Sequence, residues 1–332
     1  MHCELVVPGL FAAPAQRRLP AVELLLARGR CTSAGSQPLE RWLHDAFELG
    51  DEPLAAGAFS LLAANGAPDG YCWVRADPSH LGFMRERLIL VPSAALGVKR
   101  EEADALCSAL NAHFGERLVV QVIDAERWVA RFGEECSIDA QPPLEFAGRD
   151  VGLGLPEGAG ASHSHRLLNE SQMVLHGHPV NAAREARGEP AINSVWLWGA
   201  GRLPAVRCTR WHSVSADDPL ALGLARAAGM RQRPLPQNAM AWLDRAPEDG
   251  RHLAVLDSLR VRLALSQTAE YEEALAALER DWFAPLLGAL RAGQIGMVTI
   301  HVPDGAECLS YEAIRGDLRR FWRRPKALEH YT

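Results

Sequence analysis

The chain has 332 residues, of which 48% are hydrophobic and 23% charged, enough apolar material for one large domain or two moderate ones. A net charge of −6 gives no indication of a general polyanion-binding role. The seven cysteines are odd in number and include no C-x-x-C pair, so they argue against a disulfide or zinc framework. No stretch approaches the ~18 apolar residues of a membrane span. We therefore expect a cytoplasmic protein with no membrane segment.

The first half of the chain changes composition near Tyr71. Before that point, apolar spacing predicts a short strand that stops at Pro8 and Gly9, followed by helices. After it, strands surround one clear helix, a mixture typical of an α+β unit. The predicted strands span 4–7, 71–77, 85–92, 117–124 and 127–132 (the last a strand or a helical turn), and the predicted helices span 20–28, 37–49, 99–114 and 164–178, with at most one short helix near Phe59 and a loop over 147–161.

The second half alternates strands with helices, which is the pattern of a doubly wound sheet. Strands are predicted over 194–199, 212–216, 252–259 and 295–302, and helices over 217–229, 268–293 (bent at Pro285) and 309–324. Asp217 or Asp218 is the predicted cap of the helix over 217–229, with Pro219 in its first turn. The fold class is therefore α/β, with a mainly parallel doubly wound sheet built from residues 1–69 and 192–332. Residues 70–191 form an inserted α+β domain in this interpretation.

The densest group of polar residues lies between residues 162 and 201. Its four histidines, His163, His165, His176 and His178, are of a type that binds metals, but no carboxylate or cysteine stands at ligand spacing among them. We therefore expect no metal there. His178, Asn181 and Arg184 could instead hold a phosphate or carboxylate by charge-assisted hydrogen bonds, whereas Arg187, on the same helix face as Arg184, is interpreted as a solvated surface residue.

The sequence WGAG places Gly199 and Gly201 at the end of a predicted strand. In open α/β sheets ligands bind at the carboxyl ends of the strands, and glycine permits close approach of the backbone. Both glycines are therefore candidate ligand-binding residues. The alternative is a structural turn with Trp196 or Trp198 packed in the core.

The stretch HPVNAAREARGEPAINSVWLWGAGRLP, residues 178–204, resembles a motif of the archaeal-type cofactor-independent phosphoglycerate mutases of the alkaline phosphatase superfamily. Two other stretches, WVRADPSHLGFMRERLIL and EEADALCSALNAHF, are similar to RpfE-type regulatory proteins. The resemblance implies an alkaline-phosphatase-like α/β core with an inserted α+β domain. The matching residues of the motif are His178, Pro179, Asn181, Arg184, Gly188, Pro190, Ala191, Trp196, Trp198, Gly199, Gly201 and Pro204.

Active members of that superfamily bind two divalent metals, Mn or Zn, through aspartates and histidines, and use a serine nucleophile. Here Pro8 stands where the resemblance implies the first aspartate, and Val261 stands where it implies a histidine four residues after Asp257. His301 and Asp304 remain as metal candidates with Asp257, but in a different order. The nucleophile candidates, by position alone, are Ser33, Ser36 and Ser60.

These departures predict a degenerate metal centre with no resident cofactor. The expected function is non-catalytic: regulatory binding of a phosphorylated metabolite or of a protein partner. The alternative is an active metal-dependent phosphoglycerate mutase or phosphatase with relocated ligands, which would use two divalent metals.

The basic stretch RGDLRRFWRRPK interleaves Phe321 and Trp322 with arginines near the end of the chain. Such a run can bind nucleic acid. More often it forms an amphipathic helix, here buried through Leu318, Phe321 and Trp322 and solvated elsewhere. The second interpretation is favoured, so nucleic acid is not expected as a partner.

Overall fold

The structure is a computed structural model that describes residues 1–33, 38–84, 87–132, 138, 140–147, 151, 161–245, 249–304 and 307–331. It divides into two compact units: the first comprises Met1–Gly50 and Val206–Thr332, and the second comprises Asp51–Ala205. The predicted boundaries at 69/70 and 191/192 both lie inside the second unit. Most of the loop predicted over 147–161 lies outside the described residues.

Most predicted elements are present within a few residues of their expected bounds. The described strands are β1 (His2–Val6), β2 (Arg30–Ser33), β3 (Trp73–Met84), β4 (Arg87–Pro92), β5 (Leu118–Val122), β6 (Trp128–Phe132), β7 (Ser194–Gly201), β8 (Ser213–Ser215), β9 (Arg231–Arg233), β10 (Arg251–Val255), β11 (Met297–Asp304) and β12 (Glu307–Ile314). The described helices are α1 (Pro20–Arg28), α2 (Leu39–Ala46), α3 (Ala56–Ala63), α4 (Arg100–Phe114), α5 (Ala161–His176), α6 (Pro179–Ala186), α7 (Pro219–Ala227), α8 (Ala239–Leu243), α9 (Ser258–Ala264), α10 (Thr268–Leu278) and α11 (Ala284–Ala292).

The first unit is built on a sheet of seven described strands in the order β2-β12-β11-β1-β10-β8-β9. The five strands from β11 to β9 run parallel. At one edge β12 pairs antiparallel with β11, and β2 pairs antiparallel with β12. One face of β1 packs Cys3 and Leu5 against a core that includes residues of α1, α8, α10 and α11. Trp42 of α2 contacts the other face through His301, with 5.1 Å between ring centroids. The mixed α/β class is thus confirmed.

Local sequence explains the helix starts in this unit. Asp218 caps α7 by accepting a hydrogen bond from the Leu220 N–H at 2.6 Å, and Pro219 occupies the first turn, as the sequence predicted. The predicted helix over 268–293 is present as α10, a wide π turn over Glu279–Phe283, and α11, with Pro285 in the first turn of α11.

The helix predicted over 309–324 is wrong, because these residues begin as β12, which pairs antiparallel with β11. Tyr311 and Ala313 point inward while Glu312 and Ile314 are exposed, the two-residue alternation of a strand with one buried face. Within the predicted range, the regular structure after β12 is a 3₁₀ turn over Asp317–Arg319.

The second unit contains an antiparallel sheet in the order β4-β3-β6-β5, with β7 also paired to β3. The prediction that the strand of Trp196 and Trp198 belongs to the larger sheet is therefore wrong. Its register joins Ser194 to Ser79 and Gly201 to Trp73, so its hydrogen-bonding partner lies more than a hundred residues upstream. The inward side chains of this sheet and of α4 and α5 form a separate core. Within the described ranges, no helix combines the length and apolar character needed to span a bilayer.

Candidate functional site

The polar residues of the 178–204 motif hold the second unit together. Asn181 is buried; its amide nitrogen donates to the carbonyl oxygens of Leu175 and Ile192 at 2.8 and 2.9 Å, and its oxygen accepts from the Ile192 N–H at 2.8 Å. His178 caps α6, where its Nδ1 accepts from the Val180 N–H at 3.2 Å. These contacts join α5, α6 and the segment that leads into β7, so both residues have a structural role.

Arg184 is fully buried and surrounded by acceptors. Its Nε donates to the Pro190 carbonyl oxygen at 2.8 Å, its Nη1 to Glu102 at 2.6 Å and its Nη2 to the Leu96 carbonyl oxygen at 2.5 Å. A guanidinium with its three nitrogens engaged in this way is not directed at a ligand. Arg187, which is 40% exposed, pairs with Glu102 and Glu189, in keeping with its predicted surface position.

Gly199 and Gly201 are placed by packing, not at the carboxyl edge of the larger sheet as predicted. Gly199 has a φ of +62°, and a Cβ added there would lie 2.5 Å from the Cβ of Ala56 on α3. A Cβ on Gly201 would lie 2.8 Å from the Cβ of Ala55. The two glycines therefore let α3 approach β7 closely.

The tryptophans of this strand are buried, as the structural alternative expected. The Trp196 Nε1 donates to the Gln141 carbonyl oxygen at 2.8 Å, and the Trp198 Nε1 donates to Asp77 at 2.7 Å. Asp77 also pairs with Arg75 at 2.6 Å. Arg75 in turn donates to the Ser60 hydroxyl at 3.4 Å, so this nucleophile candidate is buried within an internal polar network.

The candidate site lies instead at the carboxyl edge of the larger sheet, where the parallel strands end. Asp217 and Asp218 follow β8, Asp257 follows β10, and Asp304 ends β11. In open parallel sheets this edge is the usual place for ligands. The sequence had identified Asp257 and Asp304, but it treated Asp217 and Asp218 only as helix caps. Their position directly after a predicted strand could have identified them as candidate site residues.

The turn after β1 occupies the centre of this edge. Both carboxylate oxygens of Asp304 accept from it, at 2.5 Å from the Gly9 N–H and 3.0 Å from the Phe11 N–H. The Tyr271 hydroxyl donates to the Gly9 carbonyl oxygen at 2.8 Å. Burial raises the pKa of the Asp304 carboxyl, and the two backbone hydrogen bonds oppose that rise. Asp304 therefore serves to fix the turn of Pro8 and Gly9.

Asp257 has the most perturbed carboxylate of the edge. Its pKa is raised from an ordinary value of 3.8 to about 6, chiefly by burial and then by the negative charges of Asp218 and Asp217, while Arg260 opposes the rise. The same arginine also lowers the pKa of Asp304. Arg260 forms a two-bond pair with Glu40, at 2.7 and 2.9 Å. The edge thus combines clustered carboxylates with one arginine within electrostatic reach.

His301 belongs to a different environment. It lies three residues before Asp304 on β11 and hence on the opposite face of the strand. Its Nε2 contacts Glu4 at 3.2 Å and its Nδ1 contacts the Ser310 hydroxyl at 2.8 Å. Glu4 is fully buried and also pairs with Arg210 at 2.9 Å and Arg251 at 2.6 Å. The structure therefore brings Asp257 and Asp304 to one edge but not His301.

The remaining nucleophile candidates lie away from this cluster or outside the description. Ser33 is exposed on β2, the outermost strand of the sheet. Ser36 lies outside the described residues. Among the residues that the structure does describe, no group of three or more His, Cys, Asp or Glu side chains is arranged to hold a metal ion.

No protein-family model matches the chain. The chain is 31% identical over 177 residues to a probable 2,3-bisphosphoglycerate-independent phosphoglycerate mutase of Geobacter sulfurreducens, covering 48% of this chain and 43% of that protein. It is 28% identical over 174 residues to the 2,3-bisphosphoglycerate-independent phosphoglycerate mutase of Methanosarcina barkeri, covering 50% and 43%. The matches thus span less than half the length of these relatives.

A solved structure shares the fold of the chain. The PH0037 protein from Pyrococcus horikoshii aligns with a TM-score of 0.57 and 15% identity, over 94% of this chain and 87% of that one. At this identity the likeness concerns the fold alone. The two sequence relatives confirm the similarity to phosphoglycerate mutases that the 178–204 motif indicated.

Proposed function

We propose that this chain is a phosphoglycerate-mutase-like protein with a degenerate metal centre, which binds a phosphorylated metabolite in a regulatory role and does not turn it over. The observation that carries the proposal is the turn of Pro8 and Gly9. It stands at the end of the central strand, where the resemblance implies a metal-binding aspartate. Proline offers no side-chain ligand, and Asp304 holds this turn with both of its oxygens.

The donor set at the edge does not fit a two-metal phosphoryl-transfer centre. Such centres hold two ions about 4 Å apart, each with several protein ligands. Here Asp218 accepts from the Leu220 N–H, Asp217 accepts from the Leu235 N–H at 3.2 Å, and Asp304 accepts from Gly9 and Phe11. His301 makes its contacts on the face of Glu4. A reaction through two metals at this edge is therefore not part of the proposed function.

Arg260 is the residue we propose for contact with a phosphate. Its positive charge lowers the pKa of both Asp257 and Asp304, and its planar guanidinium is suited to binding oxyanions. The neighbouring carboxylates repel an anion, so we expect modest affinity. A bound phosphate must also compete with Glu40, which already pairs with Arg260.

The test is isothermal titration calorimetry with 3-phosphoglycerate and with inorganic phosphate, alongside a turnover assay and a metal analysis of the purified protein. We expect saturable binding of 3-phosphoglycerate and no turnover with added Mg²⁺, Mn²⁺ or Zn²⁺. Arg260→Gln should weaken binding about tenfold, the effect of losing one charge-assisted contact. Arg262→Gln, on the same helix, is the matched control and should leave binding unchanged. Metal-stimulated turnover would overturn the proposal.

The alternative is an active metal-dependent mutase or phosphatase with relocated ligands. The observation that favours it is the mutual repulsion of Asp257 with Asp217 and Asp218, which a divalent cation would relieve. This alternative predicts tightly bound Mn or Zn in stoichiometric amounts and turnover that Asp257→Asn abolishes. Protein purified without metal that shows no turnover when these ions are added would argue against it.

A further inference from the structure

The chain carries a strongly basic segment, residues 315–326, directly after β12. Its cations are Arg315, Arg319, Arg320, Arg323, Arg324 and Lys326, and its one carboxylate is Asp317, so its net charge is +5 in a chain of net charge −6. This local concentration of charge is opposite in sign to that of the protein as a whole. It is not used by the site proposed above.

The aromatic side chains of the basic segment face solvent. Phe321 is 77% exposed and Trp322 is 66% exposed, with ring centroids 5.3 Å apart and an interplanar angle of 81°. The expectation that they are buried in a terminal helix is therefore wrong. The segment is nevertheless fastened to the first unit, because Leu318 packs against its core on one side and Leu328 is buried in it on the other. The two rings are held outward by an anchored backbone.

A groove of about 620 Å³ lies beside the basic segment, which lines it with Arg320 and Arg323. Arg30, Tyr311 and Tyr331 are among its other lining residues. The Nη1 of Arg320 donates to the Arg28 carbonyl oxygen at 3.2 Å, and the Nη1 of Arg323 donates to the Gly29 carbonyl oxygen at 3.0 Å. Uncharged acceptors position these two guanidiniums without neutralising them. Asp317 offsets the charge of Arg320 in part, at 2.8 Å.

We propose that the basic segment and this groove bind single-stranded nucleic acid. Phosphates would contact Arg30, Arg320 and Arg323 in the groove, and unpaired bases would stack on Phe321 and Trp322. Stacking of bases on exposed aromatic side chains beside a positively charged groove is the general mode by which proteins bind single strands.

Two other partners fit the geometry less well. A flat anionic membrane could meet the exposed aromatics, but it would not fill the groove between Arg30, Arg320 and Arg323. Double-stranded DNA presents its phosphates, but its bases are already stacked and would leave Phe321 and Trp322 without contacts. A single strand is the polyanion that can contact both the arginines of the groove and the two exposed rings.

Binding is measured by fluorescence anisotropy with a labelled twelve-nucleotide oligo-dT, using the full chain. If the groove neutralises three to four phosphates, the logarithmic salt slope is about −2 to −3, so affinity falls roughly 20- to 60-fold between 50 and 200 mM salt. Trp322→Ala should weaken binding about 5- to 150-fold. Trp322→Phe, which keeps an aromatic face, should remain within about threefold of the wild type.

The controls are Phe83→Ala and Arg166→Gln, an exposed aromatic and an exposed arginine of the second unit, which should leave affinity unchanged. A duplex of the same length should bind at least tenfold more weakly than the single strand. Equal binding of the duplex, no effect of Trp322→Ala, or absence of binding at 50 mM salt would each overturn the proposal. Tighter binding to anionic phospholipid vesicles than to oligo-dT would also overturn it.

Discussion

Arg184 donates from Nη1 to Glu102 Oε2 at 2.6 Å, and this buried ion pair ties α6 to the first turn of α4. Neighbouring carbonyl groups take up the remaining donors of the guanidinium. The pair therefore lies at the join between two helices of the second unit. Arg184, which the motif suggested as a ligand contact, therefore has a role in stability that can be measured.

We expect Arg184→Met to lower the free energy of unfolding by about 3 kcal/mol, because it leaves Glu102 partly buried without its closest partner. Arg187→Met is the control; this exposed partner of Glu102 should contribute about 1 kcal/mol or less. Urea unfolding followed by circular dichroism measures both. Wild-type stability of Arg184→Met with loss of phosphate binding would restore the ligand role that the motif suggested.

Gly199 provides a second test, with a control matched in backbone conformation. Both Gly199 and Gly188 have positive φ, +62° and +74°, so alanine costs each about 1–2 kcal/mol of backbone strain. Only at Gly199 would the added methyl meet a neighbour, the Cβ of Ala56 at 2.5 Å, whereas Gly188 faces open space. We expect Gly199→Ala to destabilise by at least about 3 kcal/mol and Gly188→Ala by about 1–2 kcal/mol. Similar losses at the two positions would show that α3 does not press on β7.

Local patterns in the sequence predicted most helices and strands but not which strands pair. The segment of Trp196 and Trp198 has the pattern of a strand that ends in glycines, and this pattern fits either sheet. Its pairing with β3 depends on contacts between residues more than a hundred positions apart. The error at β12 has another cause. The arginines that follow Ile314 supplied a helical pattern, which masked the inward alternation of Tyr311 and Ala313.

The candidate site was predictable only in part. Asp257 and Asp304 could be identified because the resemblance implies metal-binding aspartates in this part of the chain. The sequence could not show that Asp304 is committed to the Gly9 turn, since that depends on the packing of β11 beside β1. Nor could it show that Glu4, an isolated acid in an apolar strand, gathers Arg210 and Arg251 from distant segments.

Glu4 should make the protein sensitive to acid. Burial alone would raise its pKa, but hydrogen bonds from His301 and Arg251 and the charge of Arg210 outweigh burial and hold the pKa well below the ordinary 4.5. A carboxyl with a depressed folded-state pKa stabilises the fold above its unfolded value and loses that contribution as the pH falls below it. We therefore expect the free energy of unfolding to decline below about pH 4.5.

The variant Glu4→Gln should be about 3 kcal/mol less stable at neutral pH, because Arg210 and Arg251 lose their buried partner. Its stability should also decline less steeply between about pH 5 and pH 3 than that of the wild type. Glu312→Gln, an exposed carboxyl on β12, is the control and should follow the wild-type curve. Parallel curves for Glu4→Gln and the wild type would show that Glu4 does not carry the acid response. Urea unfolding at a series of pH values measures the free energy of unfolding of the wild type and of both variants.

Asp257 should respond to pH in the opposite direction. Its folded-state pKa, raised to about 6 chiefly by burial and then by Asp218, exceeds the ordinary 3.8, so the folded state binds the proton more tightly than the unfolded state. The stability that this group contributes therefore falls as the pH rises from about 4 to about 6, and Asp257→Asn removes the loss. Relative to the wild type, the variant should gain about 1–2 kcal/mol between pH 4 and pH 7. The full pKa difference corresponds to about 3 kcal/mol, but the side chain is only partly buried and solvent screens the charge.

The same variant separates the two proposed functions. If the edge holds no metal, Mn²⁺ leaves the unfolding curve of the wild type unchanged, and Asp257→Asn remains the more stable protein at pH 7. If relocated ligands bind a cation, Mn²⁺ lowers the pKa of Asp257 and stabilises the wild type by mass action, while the variant gains little. Asp249→Asn, an exposed aspartate, serves as the control in both cases. A pKa of 4 or below for Asp257, measured by carboxyl ¹³C NMR in the metal-free protein, would contradict the clustering of charge on which both tests rest.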